Sequence, residues 1–196
     1  MLSFYYGVMG SSKTAQLLMQ RYNYQQLGLK VALIKPSVDT RAGSNIVFSR
    51  VGLQAQAELV LEPHHSIREQ LLWLAARNAH SDFQYVFIDE AQFLSETQVQ
   101  ELADIADKLD IFCYGLKTDF RGQFFPGSAA LLRLAENIQE ISGGLCWCGR
   151  KATMNTRVDT KGQVIKEGAQ VLIDNQRQIR YIGLCYEHWR KGISHA

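Results

Sequence analysis

The segment from Phe4 to Thr14, FYYGVMGSSKT, limits the possible folds more than any other: an apolar run suited to a buried strand breaks into a glycine-bearing loop, which ends in Lys-Thr where an amphipathic stretch begins. Strand, loop and helix in that order read as a phosphate-binding device. Loop N–H groups and the positive end of the helix face an anion, Lys13 reaches the outer phosphates of a nucleotide, and the Thr14 hydroxyl can ligate Mg²⁺. Against the pattern GxxxxGK[ST], Gly7, Lys13 and Thr14 are present and Ser12 stands at the second glycine position. If that position needs a positive φ, Ser12 costs on the order of 1 kcal/mol, which the freedom of Gly10 helps the loop absorb. The alternative is an ordinary strand-turn-helix without a ligand.

The chain then alternates. Ala15, Leu18, Met19 and Tyr22 recur at helical spacing, which predicts a helix packed on a sheet through those side chains and ending near Gly28. Lys30 to Lys35 reads as a strand stopped at Pro36, and Ser37 to Leu61 as turns followed by a strand-like stretch. A helix is expected over 64–79, with Ile67, Leu71, Leu74 and Ala75 on one face. A strand follows at Tyr85 to Ile88, and a helix from Ser95 to Lys108 announced by a capping box of Ser95 with Gln98 and a staple of Leu94 with Val99. Asp110 to Leu116 is a further strand, holding Cys113 as a buried thiol, and Gly127 to Asn137 a further helix with Leu131, Leu134 and Ala135 inward. Such alternation implies right-handed crossovers and an α/β fold, a mostly parallel sheet flanked by helices. From Gly143 the pattern changes to paired cysteines and short strands, so the chain divides near Ser142 into an α/β unit (1–142) and a small C-terminal unit (143–196).

Two constellations carry chemistry besides the loop. In YVFIDEAQF, Asp89 and Glu90 follow an apolar strand, at the end of a strand where open α/β sheets bind ligands. Asp89 can hold Mg²⁺, and Glu90 can take a proton from an attacking hydroxyl; the alternative is an acidic pair favoured by a helix N-terminus. In the tail, Cys146-Trp-Cys148 and Cys185-Tyr-Glu-His188 supply four ligands for a closed tetrahedral, structural zinc site, against reduced cysteines in a small core.

Composition narrows the partners. With 21 Lys+Arg against 19 Asp+Glu interspersed, a net charge of +2 gives no argument for a nucleic-acid or membrane partner, and a charged small substrate fits better. The N-terminus enters a strand at once and no uncharged apolar run nears ~18 residues, so a cytoplasmic protein is expected.

Taken together, these residues resemble the zinc-containing, type II thymidine kinases, P-loop deoxyribonucleoside kinases with a zinc-bearing lasso. The family loop G-P-M-[FY]-S-G-K-[ST] is matched at Gly7, Met9, Ser11, Lys13 and Thr14, and D-E-[AG]-Q-F-F at Asp89 to Phe93 with Leu94 replacing the last Phe. GLKTDFRGQFF, Gly115 to Phe125, matches G-L-D-x-D-F-R-G-x-P-F with Lys117 in place of Asp. The resemblance implies transfer of a phosphoryl group from ATP to the 5′-hydroxyl of thymidine, with deoxyuridine a second substrate; a nucleotide-binding regulator that has lost catalysis is the alternative. It implies Glu90 as general base, Gly7, Met9, Gly10, Ser11, Ser12, Lys13, Thr14, Asp89 and Gln92 as nucleotide contacts, and Thr14 with Asp89 around Mg²⁺.

For the nucleoside it implies Asp39 at the sugar and Arg41 at phosphate, a pair that reads equally as a solvated turn. Phe93, Phe120 and Phe125, otherwise ordinary core residues, become walls around the base beside Met9, and Arg121 either approaches the phosphates or is a surface residue. Cys146 and Cys148 stand as C-x-C where the family has C-x-x-C, so the knuckle that joins Cys185 and His188 is one residue shorter. Between the pairs, Asn155 holds a position usually given to a small hydroxyl residue near the base, Tyr181 matches a tyrosine that approaches the sugar, and Ile173-Asp174-Asn175 replaces I-G-G. A homotetramer and feedback binding of thymidine triphosphate are also implied.

Overall fold

The computed structural model describes residues 1–40, 43–77, 83–171 and 179–195. Arg41, Ile173-Asp174-Asn175 and the end of the helix expected over 64–79 lie outside them. In chain order the larger part comprises β1 (Leu2–Tyr6), α1 (Lys13–Gln26), β2 (Val31–Pro36), a hairpin of β3 (Ile46–Phe48) and β4 (Gln54–Gln56), β5 (Leu59–Leu61) and α2 (Ile67–Arg77). It continues through β6 (Tyr85–Ile88), a 3₁₀ turn (Ala91–Phe93), α3 (Glu96–Ile105), β7 (Asp110–Gly115), α4 (Pro126–Leu134) and β8 (Asn137–Glu140). Strands β5-β2-β6-β7-β1-β8 form one sheet in which every pairing is parallel.

The near-continuous apolar strands follow from burial on both faces. Side chains alternate across the sheet: Leu2, Phe4, Ala32, Ile34, Val86 and Ile88 enter the core under α2, α3 and α4. Leu33, Phe87 and Phe112 enter the core under α1. A fully buried side chain such as Phe87 contributes about 1.5–3 kcal/mol. Burial pushes the Cys113 thiol pKa up, as suits an inert structural cysteine.

Helix α3 opens as its sequence predicts, with Ser95 Oγ accepting from the Gln98 N–H at 3.1 Å and Gln98 Oε1 from the Ser95 N–H at 3.0 Å. Two expectations are corrected. Ala15 and Leu18 face the sheet, but Met19 and Tyr22 are 57% and 59% exposed. The packed stripe of α1 instead runs through Leu17 and Leu18 to Tyr24, whose ring meets Tyr85, Phe87 and Phe112 edge-on. Arg21 lies in the same stripe, its guanidinium reaching Glu58 at 2.6 Å. A charged residue inside the buried stripe and two apolar ones outside it shift the apparent face. The helix expected over 127–137 ends at Leu134, and Asn137–Glu140 is the edge strand β8 beside β1. A polar edge strand carries no alternation to read.

The tail forms a second, antiparallel sheet, β10-β9-β11, from β9 (Met154–Asp159), β10 (Val164–Ile165) and β11 (Ile179–Leu184), followed by the short helix α5 (Tyr186–Lys191). Among the described residues no helix is long and apolar enough to cross a membrane. Because the strands of the large sheet are parallel, the loops after β1, β2, β6 and β7 emerge at one end, where β9 also arrives.

Candidate active site

The loop after β1 has the geometry its sequence asks for. Gly10 and Ser12 both adopt positive φ, 79° and 64°, so the serine at the second glycine position takes the left-handed conformation that glycine would take without strain. Gly7 has no room for a side chain: a Cβ there would meet Ser11 Oγ at 2.4 Å and Ile141 O at 2.9 Å. Ser11 Oγ is buried and has no hydrogen-bond partner among the described residues, a polar atom left for a ligand to satisfy. Lys13 folds back, donating from Nζ to Val8 O at 2.8 Å. Together these features fit a phosphate group.

At the far side of β7, Asp89 and Glu90 leave the end of β6. The Thr14 hydroxyl lies 3.2 and 3.1 Å from the two Asp89 carboxylate oxygens, so the helix start and the strand end present adjacent hard oxygen donors of the kind Mg²⁺ takes. Glu90 is itself left-handed, φ 50° and ψ 38°, an unusual conformation for a residue with a Cβ. Its Oε2 accepts from Gln92 Nε2 at 2.5 Å, and Gln92 Oε1 accepts from the Leu116 N–H at 3.0 Å.

These loops surround an open, largely apolar cavity with a few polar groups in its wall. Met9, Asp39, Glu90, Gln92, Phe93, Phe120, Phe125, Asn155 and Tyr181, all singled out in the sequence, line it together. Phe93 and Phe125 meet edge-on, centroids 5.8 Å apart. Asp39 sits 3.7 Å from Lys35 Nζ, and that buried ammonium also donates to Gly43 O and Ile46 O. Asn155 Oδ1 accepts from the Met9 N–H and its Nδ2 donates to Thr118 O, both at 2.7 Å, so one amide ties β9 to the phosphate loop and to the segment after β7.

Several lining residues carried no assigned role in the sequence: Val38, Leu116, Asp119, Gln170 and Val171. Asp119 holds Arg121 through Nε at 3.0 Å and Nη2 at 2.9 Å, which makes Arg121 a local brace of this loop, and Gln170 Nε2 also donates to Asp119 at 3.2 Å. Behind the wall, Arg157 is 1% exposed, its guanidinium carbon 3.7 Å from the Phe120 ring centroid. It donates to the Tyr181 hydroxyl from Nε at 2.9 Å and from Nη2 at 2.7 Å, and to Ala169 O at 2.8 Å. None of these three partners lies near Arg157 in sequence, so no local signal marks it. Lys117 lies over the Tyr6 ring at 5.4 Å and outside the cavity lining.

In the tail, Cys146, Cys148, Cys185 and His188 bring their ligand atoms within 4.8 Å of one another. Three thiols and an imidazole at that spacing suit a tetrahedral metal such as zinc. The shortened knuckle closes on Gly149, φ 82°, with the Gly149 N–H on Cys146 O. The Arg150 guanidinium beside Cys148 holds that thiol down to about 6, and burial raises the thiol of Cys146. Trp147 stacks on the His188 ring, centroids 4.3 Å apart.

A mostly parallel sheet flanked by helices, a glycine-bearing strand-loop-helix ending in Lys-Thr, two carboxylates at the end of a neighbouring strand and a Cys₃His group that could hold a metal define an α/β protein of the P-loop kind. The thymidine kinase family pattern matches residues 1–189. A thymidine kinase of Rhizobium meliloti is 41% identical over 192 residues, 96% of this chain and 95% of its own length. Those of Agrobacterium fabrum (42%, covering 96% and 95%) and Yersinia pseudotuberculosis (38%, covering 100% and 97%) are similar throughout. The chain belongs to the thymidine kinase family.

Proposed function

We propose that the chain transfers the γ-phosphoryl group of ATP to the 5′-hydroxyl of thymidine, and also of deoxyuridine. One juxtaposition supports this most: Glu90 lines the aromatic-walled cavity, and the residue before it, Asp89, meets Thr14 at the head of the loop after β1. In the transfer the 5′-oxygen bonds to the γ-phosphorus, and the bond from that phosphorus to the β–γ bridging oxygen breaks with its electron pair leaving on ADP. The hydroxyl proton passes to the Glu90 carboxylate. Such transfers gain most from positioning and charge, so the loop N–H groups and Lys13 hold the phosphates while Glu90 orients the hydroxyl. Mg²⁺ held by Thr14 and Asp89 would neutralise charge on the phosphates.

Phe93, Phe120 and Phe125 enclose the base in this reading, Asp39 and Tyr181 approach the sugar, and Arg41 serves the phosphate. Residues 1–142 act as the nucleotide-binding unit and 143–196 as a lasso stabilised by zinc on its four ligands. A cytoplasmic homotetramer, inhibited by thymidine triphosphate through the same cavity, belongs to the same proposal. Glu90→Gln should lower turnover by roughly a hundredfold or more while nucleotide affinity stays within about twofold of wild type. A fully active variant would remove Glu90 from the role of base.

A further inference from the structure

We infer that Gln92 is a positioning residue whose side-chain amide fixes the direction of the Glu90 carboxylate, rather than a contact to the nucleotide or the base. The inference rests on the reading of Glu90 as the base. Four observations support it. Gln92 is 1% exposed and both ends of its amide are engaged: Oε1 with the Leu116 N–H at 3.0 Å, Nε2 with Glu90 Oε2 at 2.5 Å. The Leu116 main-chain donor decides which end is which, because a flipped amide would set N–H against N–H at Leu116 and oxygen against carboxylate at Glu90. Next, the amide has been given room by the chain it leans on: a Cβ on Gly115 would meet Gln92 Oε1 at 2.7 Å and Gln92 N at 3.1 Å.

The turn that carries Gln92 is gripped from the other side as well. A Cβ on Gly127, in the first turn of α4, would stand 2.6 to 2.9 Å from the carbonyl oxygens of Leu94, Ala91 and Gln92. Two close backbone approaches, one from β7 and one from α4, therefore hold this single 3₁₀ turn in place. Finally, the residue being aimed is strained: Glu90 keeps a left-handed backbone, a conformation that persists only where its surroundings over-determine it. A carboxylate accepting a proton from a positioned hydroxyl works at the right angle and within hydrogen-bond reach, and a displacement of about 1 Å costs up to ~10² in rate. Gln92 transmits the rigidity of the main chain at the end of β7 and at Leu116 beyond it to that carboxylate.

The test uses two variants in the full-length, zinc-replete protein. Gln92→Glu keeps an acceptor for the Leu116 N–H but opposes an oxygen to Glu90; Gln92→Met keeps the bulk and removes both bonds. Expected in each is a kcat lowered roughly ten- to a hundredfold, with the KM for thymidine and the dissociation constant for ATP within about threefold of wild type. In a Glu90→Gln background, adding Gln92→Met should leave the residual rate unchanged, since its effect passes through Glu90. A raised thymidine KM at unchanged kcat would make Gln92 a base contact and overturn the inference, as would a full additive loss in the double variant. If Gln92→Met proves unfolded by circular dichroism, the isosteric Gln92→Glu decides alone. A fully active Glu90→Gln would refute the reading of Glu90 itself; an inactive Glu90→Gln beside fully active Gln92 variants would refute only the role of Gln92.

Discussion

Asn155→Ala should be among the most damaging single changes at the site, and its cost can be worked from two hydrogen bonds. Asn155 is 3% exposed; its Oδ1 receives the Met9 N–H and its Nδ2 reaches the buried Thr118 O, each at 2.7 Å. Truncation removes two neutral bonds worth about 1 kcal/mol each and leaves a buried carbonyl and a partly buried N–H without partners, at about 1–3 kcal/mol for the more buried one. The total is about 3–5 kcal/mol, or a melting temperature lower by about 6–20 °C for a chain of this size. Urea unfolding followed by circular dichroism measures it, with a shifted midpoint at an unchanged slope. Asn155→Thr, with a single hydroxyl, can serve only one of the two main-chain groups and should fall between wild type and alanine. Asn155→Asp keeps an acceptor for Met9 but sets oxygen against Thr118 O, and should be no better than alanine. An alanine variant within about 0.5 kcal/mol of wild type would refute the strut, showing that water replaces the amide without loss.

Other outcomes follow from the same geometry. Ser12→Gly should relieve left-handed strain worth about 1–2 kcal/mol against an unfolded-state entropy cost of about 0.4–1 kcal/mol, so a net change between zero and a gain of ~1.6 kcal/mol with activity retained is expected by calorimetry; a loss would mean the Ser12 side chain does more than fill the position. Arg157→Gln should raise the KM for thymidine roughly tenfold while ATP affinity holds, because the guanidinium stacks on Phe120 and carries the Tyr181 hydroxyl. Metal retention should be lost in acid: Cys148 is depressed to about 6, so the thiolate form it favours, and any stability linked to it, is fully present above its ordinary pKa near 9 and disappears as pH falls through about 6. Arg150→Gln removes the main cause of that depression and should move zinc release, followed with a chromophoric chelator, to higher pH.

What the sequence made legible was what local chemistry decides. The capping box at Ser95 and Gln98 works within four residues, and the loop from Gly7 to Thr14 needs only its own backbone conformation, including the positive φ asked of Ser12. The cysteine pairs were legible because ligand type and spacing survive any detail of the fold, even with a knuckle shortened to Cys146-Trp-Cys148. Long-range contacts were not. Nothing near Arg157 announces Phe120 or Tyr181, and the double engagement of Asn155 depends on Met9 and Thr118 converging from distant parts of the chain. The packed face of α1 departs from its sequence pattern for a different reason: Arg21 lies in the buried stripe because Glu58 pairs with it, while Met19 and Tyr22 mimic a packed face from the outside. Strand β8 exists through its pairing with β1, and its polar residues carry no period of their own.

The central claim is tested most directly by offering thymidine, deoxyuridine and deoxycytidine separately to the purified, zinc-replete protein with ATP and Mg²⁺, measuring ADP release and identifying the nucleoside product by mass. The account predicts ADP release with thymidine, matched mole for mole by its 5′-monophosphate, and a second response to deoxyuridine. ATP binding with no nucleoside-dependent ADP release from any of the three would contradict it and mark the chain as a nucleotide-binding regulator on a kinase fold.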